Sequence, residues 1–167
     1  MAMSADGIIA SQSGNEDFLS HDNWIEFVRL LGQTGSFIWG RKTYESVLTW
    51  DPKYIRSLDQ FTKIIISSNS SLSLVSSFDL ADSPHQALQI LQDKGFTQTI
   101  LTGGATNNTS FAKEGLIDEV ILNVEPVVVG TGVRLFSGKA LNLKLELMET
   151  TKVTEQIPQF HYQVIKK

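Results

Sequence analysis

The stretch FIWGRKTYES, residues 37–46, decides how the rest of the chain is read. An apolar run, Phe37-Ile38-Trp39, stops at Gly40, and Arg41, Lys42 and Thr43 follow before a helix-like polar stretch. An apolar run without alternation reads as a strand covered on both faces. A glycine at its end, followed by two cations, reads as a loop suited to a phosphate. Arg grips a phosphate with two parallel hydrogen bonds and Lys meets it as a point charge. A solvated loop with Thr43 as a helix cap is the plainer reading of the same residues.

Further strand-like runs lie at 6–10, 36–40, 62–68, 98–103 and 118–130. Between them fall helical patterns at 21–31, at 83–95 with a Ser cap, an early Pro and a Gly stop, and at 106–115. Residues 67–77 are serine-rich and read as a surface loop with a short strand. The last stretch alternates: Leu141, Leu143, Leu145 and Leu147 share a face, and 159–167 alternates again after an interruption at Ile157-Pro158. The expectation is an α/β fold in one domain, 1–167. It has a mainly parallel central sheet, helices on both faces and an antiparallel C-terminal hairpin.

Bulk properties narrow the function. The chain has 167 residues, 41% hydrophobic and 19% charged, with a net charge of −4 and no cysteine. Disulfides and thiolate chemistry are excluded, and nothing points to nucleic acid, which asks for a broad basic surface. His21, His85 and His161 lie far apart, so no metal site is expected. No apolar run approaches a membrane span and the N-terminus lacks a signal-peptide pattern, so a cytoplasmic protein is expected.

In open α/β sheets ligands sit outside the carboxyl ends of the strands. Three such ends are unusual: Gly40-Arg41-Lys42-Thr43, Ser67-Ser68-Asn69, and Thr102-Gly103-Gly104-Ala105-Thr106. The glycine pair lets the backbone pass where a side chain would collide, and the following helix would point its positive end outward. A tight turn before a capped helix explains the pair equally well. Gly35 to Thr43 falls one insertion away from a triphosphate-binding loop, but Ser-Phe-Ile-Trp belongs to a strand and cannot wrap phosphates. A dinucleotide G-x-G-x-x-G is absent. Asp6, Asp22, Glu26, Asp118, Glu119 and Glu125 read as turn, cap or surface charges.

In order, MSADGIIA, GRKTYES, IIISS, ILTGGAT and GLIDEVILNVEPVVVGTGVRLF resemble the dihydrofolate-reductase-like superfamily. The nearest likeness is to the RibD C-terminal reductase type of riboflavin biosynthesis, and it runs through nearly the whole chain. The resemblance implies an NADPH-dependent reductase acting on a small-molecule substrate. By that likeness Gly40, Arg41, Lys42 and Thr43 hold adenosine-side phosphates, with Arg41 and Lys42 on the 2′-phosphate. Ser67 and Ser68 form the second adenosine-side contact. Thr102, Gly103, Gly104, Ala105 and Thr106 form the pyrophosphate loop, whose glycine pair is often cis in the family. Ile9 and Ala10 lie beside the nicotinamide with Ala2 beneath it, and Asp6 and Asn123 lie on the substrate side. The riboflavin branch reduces a ribosylaminopyrimidine phosphate; the folate branch reduces dihydrofolate. Folate reductases carry an acid on the first helix at a spacing that lands here on Trp24. Asp22 and Glu26 lie two positions to either side, and Asp22 is the candidate acid. Riboflavin reductases often carry Glu where this chain has Thr102. A non-catalytic nucleotide-binding module is the further alternative. Relatives commonly dimerise through sheet edges, so a homodimer is expected.

Overall fold

The computed structural model describes residues 1–75, 77–138 and 141–166. Its strands and helices, in chain order, are β1 (Ala2–Ser4), β2 (Ile8–Ala10), α1 (His21–Thr34), β3 (Ser36–Gly40), α2 (Arg41–Val47), α3 (Lys53–Arg56), β4 (Thr62–Ile66), β5 (Phe78–Ala81), α4 (Pro84–Asp93), β6 (Ile100–Leu101), α5 (Ala105–Lys113), β7 (Glu119–Glu125), β8 (Val133–Arg134), β9 (Lys144–Thr154) and β10 (Ile157–Ile165). They fall into two compact units, Met1–Glu26 with Asn108–Lys167, and Phe27–Asn107.

The Phe27–Asn107 unit holds a wholly parallel sheet in the order β5-β4-β3-β6. Its helices α2 and α4 pack on β3, β4 and β5. Phe37, Ile38, Trp39, Ile64 and Ile65 are each 2% exposed or less, as the unalternating runs predict. Phe37, Trp39 and Phe78 gather into one aromatic cluster, with ring centroids 4.6 to 6.5 Å apart. Tyr44 joins it edge-on at 5.1 Å and accepts the Val75 N–H at 2.8 Å through its hydroxyl. The cap of α4 is as predicted: Ser83 accepts from the Gln86 N–H, and Pro84 opens the helix. Lys63 is buried at the start of β4, where its ammonium donates to Phe61 O at 3.1 Å and Ser77 Oγ at 3.3 Å. Burial holds its pKa below the usual lysine value.

The other unit carries a four-stranded sheet, β1-β7-β10-β9, and a two-stranded ladder, β2-β8. β1 runs parallel to β7; β10 is antiparallel to both β7 and β9. The expected C-terminal hairpin is therefore present. The expected mainly parallel sheet is present as well, as β5-β4-β3-β6, and the described strands form three ladders in all. Strand 118–130 ends early, at Glu125, because Pro126 has no N–H to continue the ladder. Ile157-Pro158 does not interrupt the hairpin. Both lie in β10, and the proline is tolerated at a register shift between them. The glycine turn at 130–136 contains β8, and Gly132 has a packing reason. A Cβ there would lie 2.4 Å from Ala10 O and 2.6 Å from Ile8 Cγ2, so only glycine lets β8 approach β2. Ser76 in the predicted loop 67–77 and Lys167 in the predicted strand 159–167 lie outside the described residues.

Candidate functional site

In the Phe27–Asn107 unit the chain passes from β3 outward to β4 and β5, then returns to the other side of β3 as β6. The strand order reverses there, and the segments after β3 and β6 diverge beside each other. In open parallel sheets this is where ligands bind. Gly40 ends β3 and leads directly into α2, whose first turn holds Arg41, Lys42 and Thr43 in place of the expected loop, while Gly103-Gly104 lie between β6 and α5. Since all four strands run parallel, the tip of β4, with Ser67 and Ser68, lies on the same edge.

The two glycine segments are in direct contact. The Gly40 N–H donates to Gly103 O at 2.8 Å. A Cβ on Gly40 would lie 2.9 Å from Asn107 Nδ2 and 3.4 Å from Gly104 N, so a side chain there would wedge the loops apart. A Cβ on Gly104 would meet only Thr43 Oγ1, at 3.5 Å. The Gly103–Gly104 peptide is cis, in the form the resemblance implies. Ala105 and Thr106 open α5, whose positive dipole end therefore begins at the glycine pair. Thr102 has a different role, since its hydroxyl accepts the Trp39 indole N–H at 2.6 Å and ties the loop to the core. Ser67 is buried, and its hydroxyl accepts the Asn69 N–H at 3.0 Å, while Ser68 is exposed. Arg41 and Lys42 are exposed; Arg41 pairs loosely with Glu45, at 3.8 Å. Two exposed cations beside two glycine approaches form a cradle that fits an anionic, phosphate-bearing ligand. Asn107 Nδ2, enclosed there without an acceptor, points the same way.

The remaining predicted residues lie in the other unit. Ala2 pairs in register with Asn123, and Ile9 and Ala10 are buried in and beside the β2–β8 ladder. Asn123 is 5% exposed, and both ends of its amide are taken. Its NH2 donates to Asn23 Oδ1 at 2.9 Å, and its oxygen accepts from Gln159 Nε2 at 2.9 Å. Gln159 also donates to Glu26 at 2.8 Å. Glu125, expected as a surface charge, is 5% exposed and accepts the Ser20 N–H and the Asn23 amide through one oxygen. Sequence reading misses this network because its members lie about 100 positions apart.

Asp6 braces a turn. Its carboxylate accepts from the Ser4 hydroxyl at 2.6 Å and from the N–H groups of Val129 and Gly130 at 3.1 and 2.7 Å. These donors, the serine first, hold its pKa down at about 2. Asp22 is exposed in the first turn of α1 and lines a cleft of about 320 Å³ with Ser20, Glu125 and Ile157. Glu16, on the segment between β2 and α1, belongs to no motif; burial pushes its carboxyl up to about 7. Among the described residues no His, Cys, Asp and Glu cluster suits a metal ion, and no helix is long and apolar enough to cross a membrane.

The comparisons agree with this architecture. Residues 1–158 match the RibD C-terminal domain family. The uncharacterized protein YwjB of Bacillus subtilis is 32% identical over 97% of this chain and 94% of its own length. Among solved structures, a protein from Shewanella sp. PV-4 assigned to riboflavin biosynthesis superposes with a TM-score of 0.79 at 24% identity, covering 99% of this chain and 97% of its own. The diaminohydroxyphosphoribosylaminopyrimidine deaminase/5-amino-6-(5-phosphoribosylamino)uracil reductase of Thermotoga maritima gives 0.72 at 13% identity, over 98% of this chain and 55% of its own. These structures share the fold; the family match and YwjB carry the kinship. The chain belongs to the RibD C-terminal domain family.

Proposed function

We propose that the chain is an NADPH-dependent reductase, most similar in activity to the reductases of 5-amino-6-(5-phosphoribosylamino)uracil. The observation that supports this reading is the switch point between β3 and β6, where Gly40, Gly103 and Gly104 meet beside Arg41 and Lys42. Bound there, the dinucleotide supplies a hydride from nicotinamide C4 to the electrophilic carbon of a C=N or C=O group. A proton then goes to the heteroatom, from Asp22 or from water.

In this reading the chain's own residues bind and orient. Gly40 and Gly104 admit the phosphates to the backbone, and the start of α5 stabilises their charge. Arg41 and Lys42 take the 2′-phosphate, and Ser67 and Ser68 border the adenosine side. By the family likeness, Ala2, Ile9 and Ala10 are the residues assigned to the nicotinamide end. Asp6 acts on the substrate side through the turn it braces, and Asn123 through the strand it fixes. The protein is cytoplasmic and pairs with a second copy through β9, a sheet edge that carries exposed Leu145, Leu147 and Met148.

Fluorescence titration tests the cofactor assignment. Arg41→Ala is expected to weaken NADPH about 10- to 100-fold, as befits a lost charge-assisted contact, and NADH hardly at all. Equal losses for both cofactors would remove Arg41 from the 2′-phosphate. Absorbance at the NADPH band, followed with pyrimidine and pteridine substrates, tests turnover. A second reading, a nucleotide-binding module without catalysis, draws on Thr102, whose hydroxyl is engaged by Trp39 where relatives often carry a carboxylate. Turnover of any substrate excludes it.

A further inference from the structure

Asn107 lies within the first turn of α5, just behind the glycine pair. Its Nδ2 is enclosed and meets no acceptor. It packs over Gly40, 2.9 Å from where a Cβ would be, while Gly104 N is 3.4 Å from the same point. The next residue, Asn108, has an enclosed Oδ1 without a partner too, but its NH2 donates to Leu135 O at 2.8 Å and so has a plain structural use. An enclosed donor without a partner is unfavourable, and folded chains keep few of them. A leucine would fill nearly the same volume without that penalty. The amide therefore adds nothing to the folded chain that an apolar residue would not supply better. Its use lies in something that arrives at the junction of the two loops.

We propose that Asn107 is a further cofactor-binding residue, whose amide donates to a phosphate oxygen of the dinucleotide at the Gly40/Gly104 junction. This rests on the reductase reading above and extends it to a residue outside the recognised motifs. The torsion about Cβ–Cγ of asparagine is soft, so the NH2 can turn from Gly40 toward the loop mouth without backbone movement. The residue as a whole is part-exposed. A neutral donor has a distinct role beside Arg41 and Lys42. It acts at contact range only, and so reads the position of a phosphate rather than its charge at a distance.

The test uses Asn107→Leu, Asn107→Ser and Asn107→Asp in the full chain, with thermal unfolding of the unliganded protein and calorimetric titration of two ligands. One is NADPH; the other is 2′-AMP, which carries the adenosine and 2′-phosphate but no pyrophosphate. Asn107→Leu is expected to keep or raise the midpoint of unfolding, to weaken NADPH about tenfold, and to leave 2′-AMP unchanged. Asn107→Ser, which retains a donor, recovers part of the loss. Asn107→Asp binds NADPH more weakly than the leucine variant, because a carboxylate repels phosphate. Arg41→Ala weakens NADPH and 2′-AMP alike, because both carry the 2′-phosphate. Wild-type NADPH affinity in Asn107→Leu overturns the assignment alone and leaves the reductase reading standing. So does a parallel loss of both ligands with a lowered midpoint, the mark of a structural role. Failure of the wild-type chain to bind either ligand removes the reductase reading and this assignment together.

Discussion

In the unit built on β1, β7, β10 and β9, Asn123, Gln159, Asn23 and Glu125 join in one hydrogen-bonded series, enclosed between sheet and helix. At the tips of β3, β4 and β6 in the other unit, Arg41, Lys42 and Ser68 stand exposed, and Asn107 Nδ2 finds no acceptor. The residue types are alike: amides, charges, hydroxyls. What differs is satisfaction. Where every polar group has a partner within the chain, the arrangement specifies structure. Where groups at a switch point remain unmet, the arrangement is ready for a ligand. Gly132 and Gly104 divide the same way. Gly132 is required by chain packed against it, whereas a Cβ on Gly104 would meet only a threonine hydroxyl, at an ordinary distance.

The contrast can be broken by substitutions that separate stability from binding. The largest effect is expected from Gly132→Val, which drives a branched side chain into Ala10 O and Ile8. A loss of about 3 kcal/mol in denaturant unfolding is expected. A neutral result would show that β2 and β8 do not need their close approach. Next comes Glu16, whose carboxyl ionises near 7 when folded and near 4.5 when unfolded. The folded state then holds the proton longer, so stability is full below about pH 4.5 and falls as pH rises through 7. Glu16→Gln should flatten that slope and gain about 2–3 kcal/mol above pH 7. A wild-type profile flat from pH 4 to 8 would refute the burial of this group.

Gln159→Leu is expected to cost about 2 kcal/mol, because Asn123 and Glu26 each lose a buried donor. A Gln159→Leu chain as stable as wild type would mean the closed network is not closed. Asp6 has the opposite pH sign to Glu16. Its folded value of about 2 lies below the usual 3.8, so its contribution is present above about pH 4 and disappears as pH falls toward 2. The stability difference between wild type and Asp6→Asn should therefore shrink across that window; a constant difference would point to shape rather than charge. The smallest effect sharpens the other side of the comparison. Lys42→Ala, at an exposed tip, should change stability by no more than about 0.5 kcal/mol. A larger loss would make the start of α2 structural as well.

Much of the fold is legible in the order of residues. The bounds of β3, the Ser83 cap of α4 and the alternation of β9 are signals carried within a few residues of where they act. The three strand tips are legible for the same reason, since glycines and polar or charged residues directly follow apolar runs. β5 is harder. Its four residues, Phe78–Ala81, follow a serine-rich loop and show no clear period. Pro158 reads as a break, because only a partner strand can supply the register shift that accommodates it. Glu125 reads as a surface charge, because its partners Ser20 and Asn23 are remote in the chain.

By itself the chain's order of residues determined where strands stop, which loops carry glycine and which carry charge. Those properties depend on backbone freedom and on near neighbours. Only the tertiary structure decided which polar groups are paired and which are not: that Asn123 answers Asn23, that Thr102 answers Trp39, and that Asn107 Nδ2 answers nothing. A hydrogen bond needs its two atoms within about 3 Å in the right direction, and for distant residues only the folded chain sets that distance.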